Sequence, residues 1–190
     1  MKKLKITTLA FFIAFGAFAQ SKNWAVDHSH SSVNFSVEHL VISEVQGQFK
    51  DFSGTAVSTG ADFSNATINF TIKTASVFTD DDKRDAHLQT ADFFDTAKFP
   101  ELTFKSTSFK KVDEKNYTLT GSLTLHGVTK TVDFKVKYNG TITDPYGKIR
   151  AGFKLTGKIN RKDFGVGSSM PATMIGDEVQ LVGNVEAVQQ

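Results

Sequence analysis

The sequence predicts an all-β fold. Apolar and polar residues alternate with period two in eight separate runs. Gly, Asn and Asp punctuate the gaps between the runs, as they do between strands. The chain has no cysteine, so a hydrophobic core rather than a disulfide framework must hold it together. Successive side chains on a strand point to opposite faces, so each run presents one apolar and one wet face.

Taken in chain order, Val33, Phe35, Val37 and His39 share the first apolar face, and Val45, Gly47 and Phe49 a shorter second one. Ala66, Ile68, Phe70 and Ile72 face away from Thr67, Asn69, Thr71 and Lys73. Leu102, Phe104 and Ser106 form the next face, followed by Tyr117, Leu119, Gly121, Leu123 and Leu125. "LHGVT", around Gly127, is the clearest hairpin turn. Val132, Phe134, Val136 and Tyr138 come next, then Ala151, Phe153, Leu155, Gly157 and Ile159, and last Val179, Leu181, Gly183 and Val185. The opposite faces are rich in Lys and Thr, which suits antiparallel strands with one side in water. Gly121, Gly157 and Gly183 fall on apolar faces, where glycine marks a bend or a close approach to the backbone. Alternation by itself leaves a barrel and a sandwich equally open.

Residues 79–99, "TDDDKRDAHLQTADFFDTAKF", break the rhythm. Thr79 or Asp80 is placed to cap a short helix, with Asp81 and Asp82 in its first turn and a course through His87 and Leu88. "TADFFD" reads as a turn, and Pro100 closes the excursion. With no repeat, low-complexity tract or linker, the rest is one domain, residues 20–190.

Residues 1–19 read as a cleaved signal peptide: Lys2, Lys3 and Lys5, then the apolar run Leu9–Ala19, then Ala17-Phe18-Ala19 as the cleavage site. This predicts export to the periplasm or beyond, with no integral span in the mature chain. Losing three lysines and no acid turns the formal +2 of the whole chain into −1, so the basic excess expected of a nucleic-acid binder is missing.

Two clusters suggest chemistry. Arg84, Asp85 and His87 admit three roles: a clasp of charge-assisted hydrogen bonds that locks the excursion, a contact to a phosphate or quinone carbonyl, or acid–base work with Asp85 orienting His87. The last would need a nucleophile, and no G-x-S-x-G is present. Arg161 and Asp163 beside Phe164 admit the same split. His28 and His30 would share one strand face, with His39, His87 or His126 to complete a metal site. There is no HExxH and no cysteine pair, so no metal and no cofactor are expected.

Motifs along the whole mature chain resemble the YceI-like family of exported lipid-binding proteins. They are Trp24, Val26, Asp27, His30 and Ser31; Val33, Phe35, Val37 and His39; Val45, Gly47, Phe49, Phe52, Ser53 and Gly54; Arg84, Asp85, His87, Leu88, Asp92, Phe93, Phe94 and Asp95; Phe99 to Ser106; Leu123 to Lys130; and Arg161, Asp163, Phe164 and Gly165. The resemblance implies an eight-stranded antiparallel, lipocalin-like β-barrel with an apolar channel that takes a polyisoprenoid or similar long-chain lipid. It therefore favours barrel over sandwich.

The phenylalanine content fits that implication. Of 18 phenylalanines, only Phe11, Phe12, Phe15 and Phe18 lie in the leader, against one Trp and three Tyr in the chain. Phe offers apolar surface with no polar atom to satisfy. The expected channel lining is Phe35, Val37, Phe49, Phe70, Ile72, Phe93, Phe94, Phe104, Leu123, Phe134, Phe153 and Phe164. His39, Arg84, Asp85, His87 and Arg161 are expected at a polar mouth or as a loop clasp. The expected function is non-enzymatic: sequestering or carrying a long apolar lipid, such as a polyisoprenoid or isoprenoid quinone. The alternatives are a lipid-acting hydrolase built on Arg84, Asp85 and His87, and a stress-related secreted protein whose lipid is incidental. Barrel edge strands leave a homodimer open.

Overall fold

The structure, a computed structural model, describes residues 21–60 and 62–190. The signal peptide assigned to residues 1–19 lies outside the described residues. The strands are β1 (Lys22–Val26), β2 (Ser32–His39), β3 (Ser43–Phe49), β4 (Phe52–Ser58), β5 (Thr67–Lys73), β6 (Val77–Phe78), β7 (Glu101–Lys111), β8 (Asn116–Leu125), β9 (Val128–Thr143), β10 (Ile149–Asn160) and β11 (Ile175–Gln189). Among the described residues one α-helix, α1 (Asp82–Leu88), follows β6.

All eleven strands join one antiparallel sheet, and pairing of β1 with β11 closes it. β1 and β2 lie end to end along β11: Trp24 to Val26 face Gln189 to Ala187, and Val33 to Val37 face Gly183 to Val179. β4 and β3 lie in the same way along β1 and β2, and β5 and β6 along β4 and β3. The six short strands are thus three bent staves, and the barrel has eight staves. The first and last staves pair with one another, which closes the sheet.

The three bends lie side by side and hold one another. His28 Nε2 meets Lys50 O at 2.8 Å, the Lys50 amide donates to Ser76 O at 3.0 Å, and the Lys73 amide donates to Asp51 O at 2.9 Å. Each bend also flips the phase of alternation. Trp24 and Val26 face inward before the first bend, Val33 and Phe35 after it; Phe49 precedes and Phe52 follows the second; Ile72 precedes and Val77 follows the third. Even positions exchange with odd ones each time, so β1, β4 and β6 escape a search for unbroken period two. Each extends a stave that the sequence does reveal, which is why eight runs correspond to eight staves.

In an up-and-down barrel, alternate connections fall at the same end. The tight turn at 40–42, the excursion at 79–100, the turn at His126–Gly127 and the loop at 161–174 therefore share one end. The loops at 59–66, 112–115 and 144–148 share the other. His126 and Gly127 both have positive φ, 51° and 74°, as a two-residue hairpin turn requires. The main core runs the length of the barrel, from Phe93, Phe164 and Val166 at the first end to Trp24 and Phe63 at the second, where Phe63 packs on Trp24 (5.1 Å between ring centres), Tyr138 (5.6 Å) and Phe153 (4.9 Å). No helix among the described residues is long and apolar enough to cross a membrane.

Candidate apolar binding cavity

The barrel encloses a cavity of about 530 Å³. That lies within the range usual for small-ligand sites, ~300–1,000 Å³. Its wall draws on every stave: Phe35, Val37 and Phe49 from the first two, Phe70, Ile72 and Phe104 from the next two, Leu123, Phe134 and Phe153 from three of the rest, and Leu181 from β11. Phe93 and Phe94 reach it from the 79–100 excursion, and Phe94 stands edge-on to Phe49 with ring centres 5.6 Å apart. Phe164 does not reach the wall. It is 2 % exposed and packs in the core, because the short 3₁₀ turn Arg161–Phe164 directs it behind the barrel lining. Trp24, Phe63, Phe109, Met170 and Met174 belong to the wall without having been expected there. Phe63 and the two methionines sit on loops, where no periodicity marks an inward face. Trp24 sits on a strand hidden by the phase flip.

Glycine makes room for these rings. A Cβ on Gly47 would fall 2.3 Å from Phe35, one on Gly54 2.5 Å from Phe70, and one on Gly157 2.5 Å from Phe134. Each ring thus lies flat over a glycine of the adjacent stave instead of filling the lumen. At Gly183, by contrast, a Cβ would make only ordinary van der Waals contact, 3.6 Å from Leu155 Cβ.

The two long excursions cover one end and are tied together, the Gly167 amide donating to Asp92 O at 3.0 Å. His39, Arg84, His87 and Arg161 are in the wall, while Asp85 is buried behind it. Arg84 and Asp85 do not pair with each other; they grip Thr79 between them. Arg84 Nε donates to Thr79 Oγ1 at 2.7 Å and Nη2 to Thr79 O at 2.7 Å. Asp85 Oδ1 accepts from the Thr79 amide at 2.8 Å and from its hydroxyl at 2.5 Å. The expected cap at Thr79 or Asp80 shifts accordingly. Thr79 is engaged by Asp85, Asp80 turns the chain at φ 65°, and Asp81 caps α1 by accepting from the Lys83 and Arg84 amides at 3.0 Å.

His87 turns away from Asp85. Its Nε2 meets Asp92 Oδ2 at 3.0 Å, and its ring stands edge-on to Phe93. The Asp85–His87 couple that acid–base chemistry would need is therefore not assembled.

Arg161, 3 % exposed, is the hub of the second excursion. Its guanidinium donates to the carbonyls of Gly176 (3.0 Å), Val166 (3.1 Å), Met170 (3.0 Å) and Ile175 (2.8 Å), to that of Gly167, and to Asp177 Oδ1 at 3.0 Å. Burial pulls its pKa below the ordinary arginine value, and Asp177 opposes that pull.

His28 and His30 do not share a face, because they sit in a 3₁₀ turn and not on a strand. His28 stacks on Phe52 with ring centres 4.6 Å apart, and His30 Nδ1 meets Asp27 Oδ2 at 3.0 Å. Among the described residues, Asp27, His30 and Glu186 bring three donor atoms together. A cation already fills that cluster: Arg150 Nη1 donates to Asp27 and Glu186 at 2.6 Å each, and its Nε to Asp144 at 2.6 Å. Hydrogen bonds from Ser29, then Arg150 and His30, hold the Asp27 carboxyl far below the usual carboxylate range.

Fold and site together define a cavity-bearing, up-and-down antiparallel β-barrel. Residues 24–187 match the YceI-like domain, and the chain belongs to the YceI-like family. It is 42% identical over 192 residues to Protein YceI of Escherichia coli, an alignment covering 100% of this chain and 98% of that protein. The crystal structure of the Campylobacter jejuni YCEI protein is 32% identical, with a TM-score of 0.74, and the match covers 100% of this chain and 99% of that one. A polyisoprenoid binding domain from Saccharophagus degradans shares the fold at 16% identity and a TM-score of 0.62, over 88% of this chain and 98% of that one.

Proposed function

We propose that this protein binds a long-chain apolar lipid of the isoprenoid class in its barrel, to sequester or carry it. The observation that carries the reading is the cavity of about 530 Å³ walled by phenylalanine and aliphatic side chains from all eight staves. Each CH₂ moved from water into such a wall is worth roughly 0.8 kcal/mol. A dozen buried carbons offset the lost freedom of the ligand without any hydrogen bond, although ordering costs consume part of the sum. The printed description of the Saccharophagus degradans domain supports the isoprenoid choice. Arg84, Asp85 and Arg161 act as clasps for the two excursions, while His39 and His87 flank the polar end of the ligand. The polar cluster at Arg84 spends its hydrogen bonds on Thr79, which supports a binding role over a catalytic one. The leader motif supports export to the periplasm.

Organic extraction of the purified protein, followed by mass spectrometry, tests the reading. Recovery of about one polyprenyl-type lipid per chain is the expected result. Protein that carries no lipid and takes up no isoprenoid delivered in cyclodextrin sinks it.

A further inference from the structure

The turn between β2 and β3 breaks the rules for its own geometry. Leu40 and Val41 have φ of 52° and 62°. Asn-Gly is the sequence suited to two successive left-handed positions, and a β-branched residue there is a backbone outlier. Burial of the three side chains gives little back for this. Leu40, Val41 and Ile42 are 48 %, 59 % and 86 % exposed. A strained turn that carries three consecutive exposed apolar residues points to a use outside the fold.

The position of the turn suggests the use. The Leu40 amide donates to Met174 O at 3.0 Å, and Met174 is itself 47 % exposed while forming part of the cavity wall. His39, the residue before the turn, is also exposed and also in the wall. The apolar tip is therefore continuous with the covered end of the cavity. With exposures of 48 %, 59 % and 86 % in three consecutive residues at a hairpin turn, the tip offers its apolar surface to a fluid phase that can flow around it.

Charge narrows the occupant further. Just behind the tip, Glu38 and Glu44 face each other across the hairpin, both exposed and neither in an ion pair among the described residues. Like charges directly opposite one another repel. They also repel an anionic surface and a second copy of the same tip.

We propose that Leu40–Val41–Ile42, with Met174 beside it, is a docking tip that dips into the headgroup and acyl boundary of a zwitterionic bilayer, so that an apolar ligand passes between membrane and barrel without crossing water. The contact is hydrophobic rather than electrostatic, at the shallow depth typical of interfacial apolar anchors. The purpose of the tip rests on the lipid reading of the cavity, but docking can be measured without any ligand.

The test uses the folded mature chain, phosphatidylcholine vesicles with and without a fluorescent isoprenoid, and two variants. In the first, Leu40→Asn, Val41→Gly and Ile42→Ser give the turn its preferred sequence. In the second, Ile142→Ser and Tyr146→Ser alter exposed apolar residues at the opposite end. Flotation of the first variant with vesicles should fall at least tenfold, and its uptake of isoprenoid from vesicles by a similar factor. Its thermal midpoint should stay level or rise, and its uptake from cyclodextrin should be unchanged. The second variant should match the unaltered protein, and adding anionic lipid should weaken flotation. Equal flotation of all three proteins, equal loss in both variants, or binding that requires anionic lipid overturns the proposal. So does uptake that needs an added donor protein and no vesicle contact. If cyclodextrin-delivered isoprenoid binds none of the proteins, the lipid reading of the cavity fails, while flotation still decides the docking.

Discussion

The Phe104 ring lies across Gly121 of the neighbouring strand, so closely that a Cβ on Gly121 would sit 2.3 Å from Phe104 Cζ. An eight-stranded barrel is just wide enough for side chains to fill its interior. Rings laid over glycines line that interior without closing it. The pairs Phe35 with Gly47, Phe70 with Gly54 and Phe134 with Gly157 repeat the arrangement on other staves.

Gly121→Ala should therefore displace the Phe104 ring toward the cavity and press on the Lys105 carbonyl, 2.6 Å from the added Cβ. Overpacking of this kind costs about 1–3 kcal/mol. Isoprenoid capacity, measured by titration from cyclodextrin, should fall by more than the stability loss explains. Gly183→Ala, whose added methyl meets Leu155 at an ordinary 3.6 Å, should leave both quantities nearly unchanged.

Arg161→Met should destabilise the chain by about 3–5 kcal/mol, the usual cost of removing one partner from a buried charged network. Five carbonyls and Asp177 lose their donor at once. Urea unfolding measures the loss. Hydrogen exchange should show it concentrated in residues 161–177.

Arg84→Ala and Thr79→Val should not be additive. Both loosen the grip of α1 on Thr79 by removing the Arg84 Nε–Thr79 Oγ1 bond, and neighbours in one network couple by about 0.5–3 kcal/mol. A double-mutant cycle reads the coupling directly. Full additivity would mean that Arg84 acts elsewhere, for instance on the ligand.

Acid should weaken the barrel through Asp27. Its folded pKa lies below the unfolded carboxylate value of about 3.9, held there by Ser29, Arg150 and His30. The stabilisation is fully present above the unfolded value and is lost as pH falls through the folded one. Stability should decline below about pH 4, and Asp27→Asn should flatten that decline. Thermal melts from pH 7 to pH 2 provide the measurement.

Much of the barrel can be read from local chemistry. Period-two alternation marks eight staves because side-chain direction on a strand depends only on neighbouring residues. The break at 79–99 is legible for the same reason, and so is the positive-φ turn at His126–Gly127. The phenylalanines on those alternating faces lie in the wall, since an inward face is inward whatever the neighbouring stave.

Closure, bends and partners were decided in three dimensions. Sheet and barrel share one alternation, so only the pairing of β1 with β11 distinguishes them. The three phase flips depend on hydrogen bonds between bends more than twenty residues apart, such as His28 to Lys50. Arg84, Asp85 and His87 lie within four residues yet do not bond to one another: Arg84 and Asp85 converge on Thr79, while His87 meets Asp92. Sequence determined which residues face inward along the unbroken alternating runs. Tertiary structure decided which long-range groups meet, since a hydrogen bond depends on distance and angle rather than on position along the chain.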